Sequence, residues 1–205
     1  TGLDNGGNSA SITLSTTGAN RTILRGNLTA IGGEFSGTSV AAQGLGGNIT
    51  ASGRVTLNDH ITIDTGATTG YIFLLGTVDS ESASALKALT LRAGAGSVRL
   101  GGAVGQTAAL YSLDVTSAFT TDIFASLKTD GSTNISGKTT GVRIATSSKL
   151  NIGNATTQAD NTAVVIDTSG GNGVFTLNDS VFTTIATELR APVTFTRGTG
   201  QIYLN

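Results

Sequence analysis

Strongly apolar residues recur two positions apart along most of this 205-residue chain. The pairs are Ile12/Leu14, Val55/Leu57, Ile61/Ile63, Ile72/Leu74, Leu89/Leu91, Val98/Leu100, Leu113/Val115, Val142/Ile144, Leu150/Ile152, Val164/Ile166, Phe175/Leu177, Val193/Phe195 and Ile202/Leu204. A period of two is typical of β-strands, because successive side chains of a strand point to opposite sides of its sheet. The residues between and beside the pairs are mostly Thr, Ser, Arg, Asp and Asn. The pattern therefore predicts strands with one buried and one solvent-facing side.

Turn signals separate these pairs, and the helical signal is almost absent. Glycine-rich breaks include Gly46-Gly47, Gly94-Ala95-Gly96 and Gly101-Gly102, and glycine favours the tight turns that join short strands. The one helical candidate is Ser80 to Leu89, which begins with a serine and carries two leucines three positions apart. We expect a single short turn there at most, so the sequence predicts an all-β fold.

Three features favour a parallel β-solenoid over a sandwich or a barrel. Thr-Leu-Asn-Asp occurs at both 56–59 and 176–179, and a similar glycine-led phrase recurs at Gly53 to Leu57, Gly96 to Leu100 and Gly200 to Leu204. Three Tyr, seven Phe and no Trp leave small and aliphatic residues to fill a narrow core. Like residues of a solenoid stack about 4.8 Å apart from coil to coil. At about 20 to 25 residues per coil, residues 1–205 would form a single solenoid segment of roughly eight to ten coils.

The alternation also predicts which substitutions the fold tolerates. Val98 and Leu113 belong to apolar pairs and are expected to face the core, where a new carboxylate would have no partner. Arg99 and Asp114 lie next to them in sequence and are expected to face solvent. Reversing the charge of Arg99 or Asp114 is therefore expected to be nearly silent.

Residues 73 to 119 contain a longer phrase that points to a family. The residues that carry it are Ala88-Leu89-Thr90-Leu91, Ala93-Gly94, Gly96, Val98, Leu100 to Gly105, Thr107, Ala109-Leu110, Ser112-Leu113 and Val115 to Ala118. This segment resembles the repeat unit of very large bacterial surface and exported proteins of the filamentous-haemagglutinin and autotransporter-adhesin kind. The resemblance implies a right-handed parallel β-helix, an extracellular or cell-surface location, and a structural or adhesive role without catalytic activity.

Composition and charge exclude several other classes. The 12 Lys and Arg are interspersed with 13 Asp and Glu, which gives a net charge of −1 and predicts no nucleic-acid partner. No cysteine and a single histidine exclude a structural zinc site. The longest strongly apolar run, Tyr71 to Leu75, is far shorter than the roughly 20 residues of a membrane-spanning helix, so membrane insertion is not expected. The polar, glycine-rich stretch Thr1 to Asn8 predicts no leader peptide.

Carboxylates and the lone histidine are the candidate catalytic groups. Solenoid enzymes that cleave polysaccharides need two carboxylates across one bond, and the nearest sequence pairs are Asp59 with Asp64 and Asp79 with Glu81. Ser-His catalysis would have to use His60. Nothing marks a nucleophile, so we predict that these acids and His60 are surface residues and that the chain has no catalytic site.

Calcium is the one metal that the composition leaves open. Oxygen ligands could come from Asp4-Asn5, Asn58-Asp59 or Asn178-Asp179. Their spacing fits no calcium-loop pattern, and Asn-Asp before a strand is more often a turn. Gly101 to Gly105 lacks the Lys-Ser/Thr of a phosphate-binding loop and is predicted to form turns. We therefore predict no metal or cofactor.

The leading expectation is a structural or adhesive solenoid within a longer array or fibre. Strand alternation runs from Ile12 to Leu204 without a predicted helical cap at either end. Uncapped coils expose unpaired backbone groups, so we expect an axial neighbour, either a further module of the same chain or a second copy stacked head-to-tail. Other expected partners are a host or cell-surface glycan or protein. The alternatives are a self-assembling filament subunit and, with less support, a polysaccharide-active enzyme.

Overall fold

The computed structural model describes residues 7–33, 44–131, 141–146, 148–153, 163–170, 173–177 and 186–204, and within them the chain is all-β. The strands are β1 (Ile12–Leu14), β2 (Arg21–Leu24), β3 (Leu28–Thr29), β4 (Ile49–Ala51), β5 (Arg54–Leu57), β6 (Ile61–Asp64), β7 (Ile72–Leu74), β8 (Val78–Ser80), β9 (Ala88–Arg92), β10 (Ser97–Leu100), β11 (Ser112–Ser117), β12 (Thr120–Ile123), β13 (Leu127–Asp130), β14 (Gly141–Ile144), β15 (Lys149–Ile152), β16 (Val164–Gly170), β17 (Val174–Leu177), β18 (Ala186–Leu189), β19 (Val193–Arg197) and β20 (Ile202–Leu204). The described residues contain no helix, which confirms the predicted class.

The strands form parallel sheets on three sides of the chain. Sheet 1 has seven strands in the order β1-β4-β7-β10-β12-β15-β18, and sheet 2 has seven in the order β3-β6-β9-β11-β14-β17-β20. Sheet 3 consists of two three-stranded parts, β2-β5-β8 and β13-β16-β19. Val104 lies between these parts and forms parallel bridges to Val78 and Leu127, which join them. The pairings between named strands are all parallel, an arrangement consistent with a β-solenoid.

The chain passes through sheets 1, 3 and 2 in turn and then returns to sheet 1 beside the strand that it left. We call one such passage a coil. Ile12 is in register with Ile49, which is in register with Ile72, so equivalent positions of successive coils lie side by side. The two long sheets have seven strands each in the described residues, which do not confirm the eight to ten coils expected.

Apolar side chains stack in columns along the inside of each sheet. In sheet 3 the column runs through Val55, Val78, Val104, Leu127, Ile166 and Phe195. Every apolar pair of the sequence analysis lies within a strand. Those members whose side chains are described are buried or pack against the core, which confirms the predicted facing.

Seven strands carry no such pair. These strands are β2, β3, β4, β8, β12, β13 and β18. Each has a single large apolar inward residue, and in β4, β8, β12 and β13 the other inward position holds a small or hydroxyl side chain. Thr121 and Thr129 are buried, at 0% and 2% exposure, in the columns that Val and Leu occupy elsewhere. Their hydroxyls have no hydrogen-bond partner among the described residues. Threonine has the branched shape of valine, so it fills the same space at the cost of a buried polar atom.

The helical candidate Ser80 to Leu89 forms one short turn, as expected. The Ala85 N–H donates to the Ser82 carbonyl at 3.2 Å, and no helix follows. Leu86, Ala88 and Tyr111 then form a second, smaller apolar cluster beside the main core. This cluster lies where sheet 3 is reduced to the single bridging residue between its two parts.

The run Gly101 to Gly105 connects β10 to β11 with bends at Gly102 and Gly105, but its Val104 forms the sheet 3 bridges, so the prediction that the whole run forms turns is correct only in part. A Cβ at Gly102 would lie 2.4 Å from the backbone of Gly76 in the preceding coil. Gly105 has a φ of +72°, and a Cβ there would lie 2.1 Å from the Lys128 carbonyl oxygen of the next coil. Only glycine allows this approach of backbone to backbone.

The fold predicts a sharp difference between two neighbouring positions of β10. Val98 is fully buried, so Val98→Asp should lower the free energy of unfolding by more than about 3 kcal/mol because its carboxylate has no partner. Ser97 lies on the outer side of the same strand, and Ser97→Asp should cost less than about 0.5 kcal/mol. Urea denaturation followed by circular dichroism measures both. Equal losses would show that the facing assignment of β10 is incorrect.

Candidate binding surfaces

Three of the four acids singled out in the sequence, Asp59, Asp64 and Asp79, accept backbone N–H groups or form an ion pair. Asp64 ends β6 in sheet 2, where it accepts the Gly66 N–H at 2.7 Å and pairs with Arg92 at 3.2 Å. Asp79 lies in β8 of sheet 3 and is 7% exposed. Its Oδ1 accepts the N–H groups of Thr107 and Ala108 at 2.9 and 3.3 Å. The prediction that Asp79 is a solvated surface residue is therefore wrong, because its carboxylate holds the backbone of the following coil.

Asp59 and Glu81 are the exposed members of the two sequence pairs. The Asp59 Oδ1 accepts the backbone N–H of His60 at 2.7 Å. Asp59 and Asp64 flank β6, whereas Asp79 and Glu81 lie in and after β8. Each pair thus consists of one carboxylate that is largely shielded from solvent and one that is exposed. No two of these four acids share a ligand or a proton donor in the described contacts.

His60 has a structural contact that the sequence did not indicate. Its Nδ1 accepts the N–H of Ala88, the first residue of β9, at 3.0 Å. Ala88 is 3% exposed, so this backbone N–H has little access to water. His60 is half-buried and connects β6 to the small apolar cluster, and the expectation of a simple surface histidine is corrected accordingly.

The candidate calcium ligands are only partly covered by the structure. Asn58-Asp59 follows β5, while Asp4-Asn5 and Asn178-Asp179 lie outside the described residues. Within the described ranges, no three side chains of His, Cys, Asp or Glu come together in a group that could hold a metal ion. The absence of a metal stays a prediction.

The outer side of sheet 1 carries a column of large polar and aromatic residues, which we call the sheet 1 face. The register places Phe73, Arg99, Asp122, Asn151 and Glu188 side by side on successive coils. Each of them is the middle residue between two inward positions of its strand. Parallel in-register pairing alone brings these five residues together.

Arg99 is held between two aromatic rings and a carboxylate. Its guanidinium carbon lies 5.2 Å from the Phe73 ring centroid and 5.1 Å from that of Phe124. Nε and Nη2 donate to Asp122 Oδ2 at 3.1 and 3.0 Å. The Tyr71 ring stacks on Phe73 at 5.5 Å with an interplanar angle of 13°. These contacts connect three successive coils through one cation and its aromatic neighbours.

The network continues into the last two described coils. Asp122 and Asn151 are 7% and 5% exposed, and the Asn151 Nδ2 donates to Asp122 Oδ1 at 2.7 Å. Glu188 then pairs with Lys149 and with Arg190, the latter at 3.0 Å. Hydrogen bonds from Arg190 and then Lys149 lower the pKa of Glu188 from 4.5 to about 2. From Asp122 to Glu188 the sheet 1 face is therefore polar, and the carboxylates of both residues are held by neighbouring side chains.

Exposed apolar side chains border this network. Tyr71 and Leu75 flank β7 and are 41% and 42% exposed, and Phe119, just before β12, is 51% exposed. Together with Phe73 and Phe124, they put four of the ten aromatic residues of the chain on this side. An aromatic patch next to fixed hydrogen-bonding groups can bind a ligand with both apolar and polar surfaces.

The sequence contained a partial signal for this surface, but the alternation of apolar and polar residues was not sufficient to identify it. Phe73 and Arg99 each lie in the middle of an apolar pair, at the position assigned to solvent. Alternation shows that they point outward, but it does not show which outward residues are neighbours. Asp122 was missed as well, because β12 carries Thr121 in place of an apolar inward residue.

Comparisons with protein-family models, with curated proteins and with solved structures found no match for this chain. None of the described residues belongs to a helix long and apolar enough to cross a membrane. The family resemblance of residues 73 to 119 therefore stays a prediction.

The Arg99 contacts predict a measurable coupling between coils. Arg99→Ala should cost about 1 to 2 kcal/mol of unfolding free energy, because it removes the partner of a buried carboxylate and leaves two rings without their cation. A double-mutant cycle with Asp122→Ala should give a coupling near 1 kcal/mol. The matched control is Arg92 with Asp64, a more exposed pair that should couple by less than about 0.5 kcal/mol. Equal couplings would contradict a special role for Arg99.

The same contacts change the expected effect of charge reversal. Arg99→Asp would put two carboxylates in register, and Asp114→Lys would do the same with two cations, since Asp114 pairs with Arg143 at 2.9 Å. Like charges directly opposite each other destabilise a sheet. We therefore expect a measurable loss of stability from both substitutions, in contrast to the expectation from the sequence.

Glu188 should titrate well below an ordinary glutamate. Its lowered pKa means that its ion pairs contribute stability above pH 4.5, and that this contribution is lost as the pH falls from 4.5 towards 2. A carboxyl-carbon NMR titration should place its pKa near 2, and Arg190→Gln should move it back towards 4.5. An unchanged value in Arg190→Gln would contradict the assigned cause.

Proposed function

We propose that this chain is a structural and adhesive segment of an extracellular surface fibre, folded as a right-handed parallel β-solenoid and without catalytic activity. The observation that carries the proposal is the continuous core. One cluster of buried apolar residues extends from Leu24 in β2 to Phe175 in β17, through parallel strands that are in register from coil to coil. A stack whose every coil is hydrogen-bonded to the next resists bending and keeps its surfaces at fixed positions. These are the properties of a fibre segment.

The right-handed winding is supported by the strand connections. Each sheet joins parallel strands through a passage over the other two sheets. Crossovers between parallel strands of one sheet are right-handed in about 98% of cases, because strand twist favours that hand. A solenoid of this type adds coils without changing its cross-section, so the segment can belong to an array of any length.

The family resemblance supports the extracellular location. The residues that carry it occupy positions with clear geometric roles in the described structure. Val98 and Leu100 are fully buried, whereas Gly102 and Gly105 are turn positions with no room for a side chain. The residues that carry the resemblance are thus ones that the geometry of the coil requires, as expected of a repeat whose role is structural.

Adhesion is supported by the sheet 1 face. Tyr71, Leu75 and Phe119 are exposed next to charged and amide side chains that are held by their neighbours on adjacent coils. A rigid, mixed apolar and polar surface suits a host or cell-surface glycan or protein.

A second candidate, a filament subunit, is favoured by the first and last described coils. Core positions such as Ile72 and Val98 are fully buried in the middle of the stack, whereas Ile12 and Val193, near its two ends, are only partly buried. Leu189, which is in register with the buried Ile152 of the preceding coil, is 60% exposed. An axial neighbour would cover them. Because the two ends differ, that contact would be head-to-tail, with a further module of the same chain or with a second copy.

Bead attachment tests the adhesive function. Beads coated with the folded chain should attach to cultured host cells, and beads coated with the Val98→Asp chain should not, since that substitution disrupts the core. The same preparations, incubated with acidic and neutral polysaccharides, should release no new reducing ends. Attachment no better than that of the Val98→Asp control would contradict adhesion, and reducing ends released by the folded chain would support the enzyme instead.

Sedimentation over a range of concentrations tests the filament candidate. Head-to-tail stacking predicts species that grow with concentration, and Leu189→Lys should abolish that growth by placing charges in the axial contact. Tyr71→Lys serves as a control, because Tyr71 lies on the side of the stack and not at its end. A monomer at every concentration would contradict self-assembly and leave the tandem-module version of axial stacking.

A further inference from the structure

Charged residues that face each other across neighbouring strands have opposite signs, with one exception among the described residues. The opposite pairs in register are Asp64/Arg92, Arg99/Asp122, Asp114/Arg143 and Lys128/Asp167. The exception is Arg21 with Arg54 in sheet 3. Register-matched opposite charges lower the repulsion that stacking would otherwise impose on each column. A like-charged pair therefore breaks the rule that the rest of the described surface follows.

The two arginines are exposed, lie on adjacent strands and form no ion pair with any of the described residues. They are the first residues of β2 and β5, which are adjacent parallel strands about 4.8 Å apart. Arg25, one residue beyond β2, is also exposed. Among the described residues none of these three guanidinium groups forms an ion pair, whereas Arg92, Arg99, Arg143 and Arg190 all do.

The geometry suits a bound anionic group. Guanidinium groups bind sulfate and carboxylate through two parallel N–H donors, and they do so better than an ammonium group. Two such groups on neighbouring strands can share one anion, which would remove the repulsion between Arg21 and Arg54. The exposed Ile23 lies between Arg21 and Arg25 on the same strand and offers an apolar contact beside the cations.

We propose that Arg21 and Arg54, with Arg25, form a binding site for the sulfate or carboxylate groups of an acidic polysaccharide. This inference rests on the proposed adhesive function and names its ligand class. A polysaccharide is favoured over nucleic acid because the chain has a net charge of −1 and the three arginines of the site lie together at one corner of sheet 3. Such a corner matches discrete anionic groups along a polymer and lacks the extended positive field that a phosphate backbone needs.

Binding measurements with defined polymers test the site. The probes are heparin for sulfate, polygalacturonate for carboxylate and dextran as the neutral polymer. We expect saturable binding of at least one acidic polymer and none of dextran. Arg21→Gln and Arg54→Gln should each weaken the Kd about tenfold and reduce the dependence of log K on log salt by about one. Arg92→Gln is the matched control, because it removes one arginine from a different sheet, and it should leave the Kd unchanged.

Arg54→Asp separates binding from folding. It replaces the like-charged pair by the arginine–aspartate pair found on other coils, so the melting temperature should not fall. The same variant should lose acidic-polymer binding altogether. If Arg54→Gln lost binding only because it unfolded, Arg54→Asp would still show whether the arginine itself is needed, because Arg54→Asp should stay folded.

Several results would overturn the inference. They are wild-type affinity in Arg54→Asp, equal weakening by Arg92→Gln, and tighter binding to single-stranded DNA or to anionic phospholipid vesicles than to either acidic polymer. The bead assay keeps the two proposals distinguishable. Cell attachment by wild-type beads, together with acidic-polymer binding that Arg54→Asp does not change, would refute this site and leave adhesion standing, whereas arginine-dependent polymer binding without cell attachment would refute adhesion alone.

Discussion

In-register stacking of parallel strands is the constraint on which the rest of this structure depends. Each residue of a coil lies about 4.8 Å from the residue at the same position in the next coil. The residue type at one position therefore affects the residues at the same position in the coil before and in the coil after. Apolar residues can meet this constraint by repetition, as Val55, Val78 and Val104 do in sheet 3. Charged residues cannot, because repetition would place like charges side by side.

The outer columns show how the chain meets the constraint with charges. Sheet 2 alternates acid and base at Asp64/Arg92 and Asp114/Arg143, and sheet 1 does so at Arg99/Asp122. Exposed ion pairs of this kind contribute little each. Their main effect is to avoid the repulsion that the opposite arrangement would cause. Where an aromatic ring is also available, as at Phe73, the same cation connects a further coil.

The interruption of sheet 3 shows a different use of polar groups. At Val104 the sheet narrows to a single bridging residue, and the backbone beside it loses its regular strand partners. Asp79 accepts the N–H groups of Thr107 and Ala108 in this region, and in the neighbouring sheet 2 His60 accepts the N–H of Ala88 at the start of β9. Buried N–H groups need such acceptors. The Asp79 carboxylate and the His60 imidazole thus hold the backbone in place. The surfaces that we propose for ligand binding lie on sheet 1 and at the first coils of sheet 3.

The amino-acid sequence by itself determined the class of fold and the direction in which most side chains point. The period of two identified strands such as β7 and β10, and the glycine run after β10 identified turns, because both signals are local. It missed β12, whose inward Thr121 is not strongly apolar, and it assigned Asp79 to solvent. Only the tertiary structure decided which outward residues are neighbours, as with Arg99 and Asp122 or Arg21 and Arg54. The physical reason is that register depends on connections of unequal length between coils, and no local pattern encodes which strand a residue will finally lie beside.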